Sequence, residues 1–273
     1  MTTSTTLPRL LEASQLSERL SDPQILLVDM GTAERYQQQH IPGAIFLDYN
    51  LLTLNQQPAP GLLPPLSQLK QTLASHGIDG SKTIIAYDDM GGGRSARLMW
   101  VLEQFGLKNS CYLNGGLPSW IRAGLPLESE VNLPEVVDNQ FIFSGKSLIS
   151  KTELLALLGE DQLVIWDARS PQEFSGEKKL ANLAGHIPGA VNLDWRKTWS
   201  ADDAMRMLPL KDLQRQLDQQ GITKDKLIVT HCQTHHRSSY TWLIMTLLGY
   251  SRVKGYAGSW GEWGNSDDTP VEN

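Results

Sequence analysis

Cysteine is nearly absent from this chain: 273 residues hold two, Cys111 and Cys232. Two cysteines exclude a multi-bridge disulfide scaffold and suit a reducing compartment. Long apolar runs are missing too. The longest, near Trp242–Leu248, falls far short of the about 20 residues that span a bilayer. The start, MTTSTTLPRLLEASQL, has no basic region followed by an apolar core, so no signal peptide is expected. Positive charge is in deficit, with 24 Lys and Arg against 30 Asp and Glu and a net charge of −6. Such a surface does not attract nucleic acid or anionic lipid. The expectation is a cytoplasmic protein with no nucleic-acid and no membrane partner. Its 40% hydrophobic and 20% charged residues suffice for an ordinary core.

What is present is a sequence written twice. VDMGTAERYQQQHIPGAIFLDY at 28–49 is similar to WDARSPQEF…GHIPGAVNLDW at 166–195. His-Ile-Pro-Gly-Ala stands at 40–44 and again at 186–190, followed each time by an aspartate, Asp48 and Asp194. IIAYDDMGGGRSARLMWVLEQFG at 84–106 matches IVTHCQTHHRSSYTWLIMTLLG at 228–249. Aligned without a gap, Arg94 falls on Arg237, Ser95 on Ser238, Gly115 on Gly258, Trp120 on Trp263, and Asp89 on Cys232. A duplication of this length predicts two domains of similar fold. Residues 1–128 are expected to form the first, 129–146 a linker without helical period, and 147–273 the second.

Each copy alternates short β-rich runs with helical patterns. In the second, helices are expected near 150–159, 210–220 and 238–248, and strands at 162–167, 190–194, 227–231 and 252–256. Helices between strands indicate an α/β domain with a mostly parallel sheet. Ligands in such sheets bind beyond the carboxyl ends of the strands. Cys232 follows the run Leu227–His231 at such an end.

Three readings of Cys232 are open: nucleophile, metal ligand, or buried small residue. A thiol attacks as its thiolate, and helix N-termini and nearby cations favour that form. The helix expected from Ser238 points its amide end at the loop, and Arg237 adds a permanent cation suited to oxyanions. Successive loop amides can also form an anion-binding nest. A buried core cysteine needs neither four polar residues nor an arginine after it. His231, His235 and His236 suggest a metal, but no second cysteine is near and all ligands would come from one tight loop. No metal and no cofactor are expected.

HCQTHHRSS after a strand, GHIPGAVNLDW before it, and the same frame repeated upstream resemble the tandem-domain rhodaneses, the thiosulfate sulfurtransferases. Cys-Gln-Thr-His-His-Arg in particular resembles the loop of bacterial thiosulfate:cyanide sulfurtransferases of the Azotobacter type. The resemblance implies two rhodanese-like domains, each a mostly parallel sheet with helices on both faces. It implies that Cys232 takes the outer sulfur of thiosulfate as a persulfide and passes it to a thiophilic acceptor such as cyanide. A protein or thioredoxin-like acceptor is an alternative, as is 3-mercaptopyruvate as donor. The loop residues Gln233, Thr234, His235, His236 and Arg237 would form the substrate site. His235 and His236 are expected to shape the pocket or recognise the acceptor rather than serve as obligatory bases.

A non-enzymatic sulfur carrier is a competing reading, and a cysteine phosphatase is another. Phosphatase loops place five residues between cysteine and arginine; here four intervene, Gln233 to His236. One residue fewer shrinks the ring of amides toward a sulfur atom. Eukaryotic-type relatives carry a substrate-binding arginine just before the aromatic that corresponds to Phe174, whereas Glu173 stands here. Arg169 is a candidate oxyanion contact, or the partner of Asp167 in an ion pair that fixes the loop. Trp195 walls the pocket or packs in the core. Copy one carries no cysteine in its loop and is expected to be catalytically silent, closing the cleft from the other side. Cys111, without basic neighbours, and His40 and His186, heading the two repeated motifs, are expected to be structural.

Overall fold

The computed structural model describes residues 7–273. The first six, included in the expected N-terminal domain, lie outside the described residues. Apolar runs rich in branched residues become strands: β1 (Leu10–Leu11), β2 (Ile25–Asp29), β3 (Ile45–Phe46), β4 (Thr83–Tyr87), β5 (Ser110–Leu113), β6 (Leu148–Ile149), β7 (Leu163–Asp167), β8 (Ala190–Asn192), β9 (Trp199–Ser200), β10 (Arg206–Met207), β11 (Leu227–His231) and β12 (Val253–Tyr256). They build two five-stranded sheets of the same topology, β1-β5-β4-β2-β3 and β6-β12-β11-β7-β8. Every pairing within both is parallel. Strands β9 and β10 form an antiparallel pair outside them.

The expected helices of the second copy are Lys151–Leu157, Leu210–Gln219 and Arg237–Leu247. A capping box fixes the first start, with Ser150 and Glu153 satisfying each other's backbone N–H. The same device, with Pro171 in the first turn, starts Pro171–Phe174. Residues 129–146 contain no helix or strand. They run across the first domain, where Val137 N–H donates to Ala74 and Phe141 and Phe143 pack on Phe105.

The repeated His-Ile-Pro-Gly-Ala performs one task twice. His40 stacks on Tyr36, lies within 2.6 Å of its carbonyl through Nδ1, and bridges to Glu128. His186 stacks on Phe174, lies 2.9 Å from its carbonyl, and bridges to Glu272. Both rings tie a later chain segment to the turn, the structural role their repetition suggests.

Each sheet keeps a small core of its own on one face, and on the other face the two share a single core. Helix Gly93–Gln104 of the first domain packs along helix Arg237–Leu247 of the second. Nearly all of both is buried, and one hydrophobic cluster runs through Trp100, Met99, Trp242 and Ile244 into both sheets. Each helix follows its domain's central strand, so both loops of interest open onto one interface.

The strand register corrects the sequence alignment at one point. Asp29 lies opposite Tyr87, and Asp167 opposite His231. The carbonyl of Asp88 accepts from Leu117 as that of Cys232 accepts from Trp260. Asp88, not Asp89, therefore occupies the cysteine's place. The first loop is one residue longer, with five residues before Arg94 rather than four before Arg237. The ungapped alignment hid this because the helices are in register while the strands are shifted by one.

Candidate active site

Strand β11 ends at His231, and Cys232 begins the turn into helix Arg237–Leu247. The turn is held from below by Ser259. Its hydroxyl accepts from the N–H of Cys232 at 3.3 Å and of His235 at 3.0 Å, and donates to the Tyr256 carbonyl. Trp260 and Gly261 donate to the carbonyls of Cys232 and Gln233, each at 2.9 Å. The GSWGEW segment thus fastens the loop, a role that its sequence did not suggest. His235 takes a left-handed φ of 53°, which turns the chain so that its amides converge.

Cys232 is fully buried. Burial alone pushes its thiol up, but the Arg237 guanidinium, the Ser238 hydroxyl and amide, and the Thr234 amide outweigh it, and the net shift is downward. Cys111 is the contrast: burial pushes it up to about 11, eased only by Arg9. At neutral pH Cys111 is an inert thiol, whereas Cys232 ionises more readily than an unperturbed cysteine.

The first domain supplies an internal control for this loop. The Asp88 carboxylate, standing where the thiol stands, accepts from the N–H groups of Met90, Gly92, Arg94 and Ser95 at 2.8–3.1 Å and from the Ser95 hydroxyl at 2.9 Å. Ser95 corresponds to Ser238. The frame is an anion nest in both copies, filled by a fixed carboxylate in one and by a sulfur in the other.

Arg237 is not free. Its fork is held by Glu173 through two bonds of 2.7 and 2.8 Å. Burial raises the Glu173 carboxyl, but Arg237 and the Ser170 donors bring it down to about 2. Glu173, seen in the sequence as a missing arginine, is thus the partner of the loop's own arginine. Its capping box with Ser170 was the available signal. A cleft of about 410 Å³ opens here, lined by Ser170, Gln172, Glu173, Lys178, Trp195, Arg196 and Arg237. Gln172, Lys178 and Arg196 were not singled out from the sequence, because nothing in their local pattern marks them.

The remaining expected residues divide. Trp195 lines the cleft and also meets Tyr240 and His236 edge-on. Arg169 is not an oxyanion contact: it is buried, and its Nε and Nη2 are spent on Asp167 and the Gly185 carbonyl. The ion-pair reading is the one seen, with His231 3.5 Å away on the same carboxylate. His235 faces the interior rather than substrate. Its Nδ1 lies 2.7 Å from the Ser238 hydroxyl, and its ring packs edge-on against Trp100. It orients the serine that serves the sulfur. His236 turns toward the first domain, with Tyr49 and Trp195 around it and Gly93 leaving it room. Gln233 reaches the Leu180 carbonyl at 3.2 Å. The Thr234 backbone lies against Gly61, where a Cβ would clash. Among the described residues no cluster could hold a metal ion, and no helix is long and apolar enough to cross a membrane.

Comparison with known proteins matches this architecture. The rhodanese-like domain pattern fits residues 12–123 and again 150–266. The chain is 48% identical to a thiosulfate sulfurtransferase of Azotobacter vinelandii, over 97% of each chain. It is 45% identical to a thiosulfate sulfurtransferase of Pseudomonas aeruginosa, again over 97% of each. A 3-mercaptopyruvate sulfurtransferase of Escherichia coli K12 is more distant, 30% identical over 95% of this chain and 96% of its own.

Proposed function

The chain belongs to the family of rhodanese-like domain proteins, and from that premise we propose that it is a thiosulfate sulfurtransferase whose single nucleophile is Cys232. The carrying observation is that a sulfur replaces a carboxylate in an anion nest built twice within the same chain, on loops that differ by one residue. The loop Cys-Gln-Thr-His-His-Arg is assigned to the type found in the bacterial thiosulfate:cyanide enzymes. We place the domain boundaries in the helix-free stretch 129–146 and the protein in a reducing compartment, where Cys232 stays free of disulfides.

In the first half-reaction the Cys232 thiolate attacks the outer sulfur of thiosulfate. A sulfur–sulfur bond forms at Cys232 while the sulfur–sulfur bond of thiosulfate breaks, and its electron pair leaves on sulfite. The resulting persulfide anion lies among the same donors, the Thr234 and Ser238 amides, the Ser238 hydroxyl and Arg237. Arg237 is shared between nucleophile and cleft, and Lys178 and Arg196 extend the positive wall to meet an incoming dianion. In the second half-reaction the acceptor, such as cyanide, bonds the terminal sulfur. The bond to Cys232 breaks and the thiolate returns. Oxidation state balances across the two steps, so no cofactor is required.

Steady-state assays decide among donors. Thiocyanate formed from cyanide with thiosulfate at least ten-fold more efficiently than with 3-mercaptopyruvate, and lost in Cys232→Ser, supports the reading. A preference for 3-mercaptopyruvate overturns the donor assignment. Turnover of an aryl phosphate that depends on Cys232 overturns the reaction class.

A further inference from the structure

We propose that Arg97, on the domain without the cysteine, is the second cation that holds Cys232 as a thiolate, and hence a positioning residue of the sulfur-transfer site. The proposal rests on Cys232 being the sulfur-carrying nucleophile.

Arg97 lies in the middle of the interface helix Gly93–Gln104 and is wholly buried. Among the described residues no carboxylate pairs with it; its Nη2 donates only to the carbonyls of Leu52 and Gly61, at 3.0 and 2.8 Å. Its Nε and Nη1 are buried without a hydrogen-bond partner. A buried guanidinium in that condition is costly unless an anion answers it. Its surroundings point to the loop across the interface. Gly61, which it holds, touches the Thr234 backbone. The guanidinium sits 4.7 Å over Trp100, whose ring is 4.5 Å from that of His235. The ionisable groups acting on it are Tyr49 and Cys232; burial pushes Arg97 down to about 10 and these two draw it back.

The duplication gives an independent reason. Continuing the helix register that sets Arg94 on Arg237, Arg97 falls on Tyr240. Each of these residues crosses the interface to face the other domain's loop. Tyr240 packs on Gly92 of the Asp88 loop, and that carboxylate already has five donors of its own. Arg97 faces the loop that carries the thiol. The two copies therefore differ in step: a neutral phenol opposite the permanently satisfied anion, a cation opposite the sulfur. Tyr49, buried beside Thr234 and edge-on to His236, completes the first domain's side of the site.

The charged and titratable groups that act on Cys232 are Arg237 from its own loop, with Glu173 paired behind it, and Arg97 and Tyr49 from the first domain; His231, His235, His236, Arg94 and Asp88 form the ring around these. The test isolates Arg97 among them. The rate of Cys232 alkylation by iodoacetamide, followed against pH without any sulfur donor, reads the thiol alone. Failure here therefore leaves the sulfurtransferase reading untouched. Arg97→Gln keeps a donor for the Leu52 and Gly61 carbonyls and removes the charge; Arg97→Lys keeps the charge. The midpoint should rise by about one pH unit in Arg97→Gln, slowing alkylation about ten-fold below it, and move by less than about half that in Arg97→Lys. Equal shifts in both, or none in either, overturn the proposal. The wild-type protein offers a readout free of folding defects. The Arg97 Nε–H resonance should move with the thiol's midpoint and again on persulfide formation. A resonance flat through both contradicts the assignment.

Discussion

A cysteine with no exposed surface is usually protonated and inert, and Cys111 is that residue in this chain. Cys232 differs through three neighbours, Arg237, Ser238 and Thr234. Two of them were legible in the sequence as loop members. Ser238 was legible only as a repeat of Ser95, because its contact with the sulfur depends on His235 turning inward. Glu173 restrains the site: its carboxylate fills the fork that an oxyanion would use. Glu173→Gln is predicted to lower the KM for thiosulfate about three- to ten-fold, equivalent to about 1 kcal/mol of a partly buried ion pair, with a smaller change in kcat. An unchanged KM would show that donor binding does not use that fork. The same pair has an acid signature. The Glu173 carboxyl is depressed from 4.5 to about 2, so its contribution to stability is complete above pH 4.5 and is lost as pH falls toward 2.

At the scale of the element, the strand–loop–helix frame is an anion trap built twice. Strand β11 was legible to the residue and the following helix to within one, because branched runs and polar breaks delimit them sharply. The loop's internal register was not, since one inserted residue in the first copy cannot be located while arginine and serine still align. Asp88→Ala leaves four N–H donors facing an empty nest. It should cost about 2–4 kcal/mol, read as a lowered thermal midpoint. Sulfate or phosphate should restore part of that loss in the variant and add less to wild type. A variant as stable as wild type, or one that oxyanions do not rescue, would contradict the nest.

The whole molecule is a pseudo-symmetric pair whose symmetry is broken at the places that matter for chemistry. Repetition in the sequence revealed the pair, but not which side chains cross between its halves. Arg97, Tyr49 and Gly61 meet the catalytic loop only because two buried helices pack together, and long-range packing leaves no local pattern. Burial also governs three histidines, His231 on the outer face of the second sheet and His235 and His236 toward the interface. His231 and His236 are each pushed by burial from 6.5 to about 4, and His235 falls well below its ordinary value. They stay neutral in the fold and take up protons on unfolding, so stability is full above pH 6.5 and declines as pH falls toward 4. Asp29, raised by burial to about 6, works in the opposite direction but is one group against three. The thermal midpoint should fall by more than about 5 °C between pH 7 and pH 5, and a flat profile would contradict neutral burial of the histidines. The central claim, that sulfur rides on Cys232, is tested most directly by intact and peptide mass spectrometry after thiosulfate treatment. The account predicts one added sulfur atom, located on Cys232 and removed by cyanide as thiocyanate. A protein that gains no sulfur, or gains it on Cys111, contradicts it.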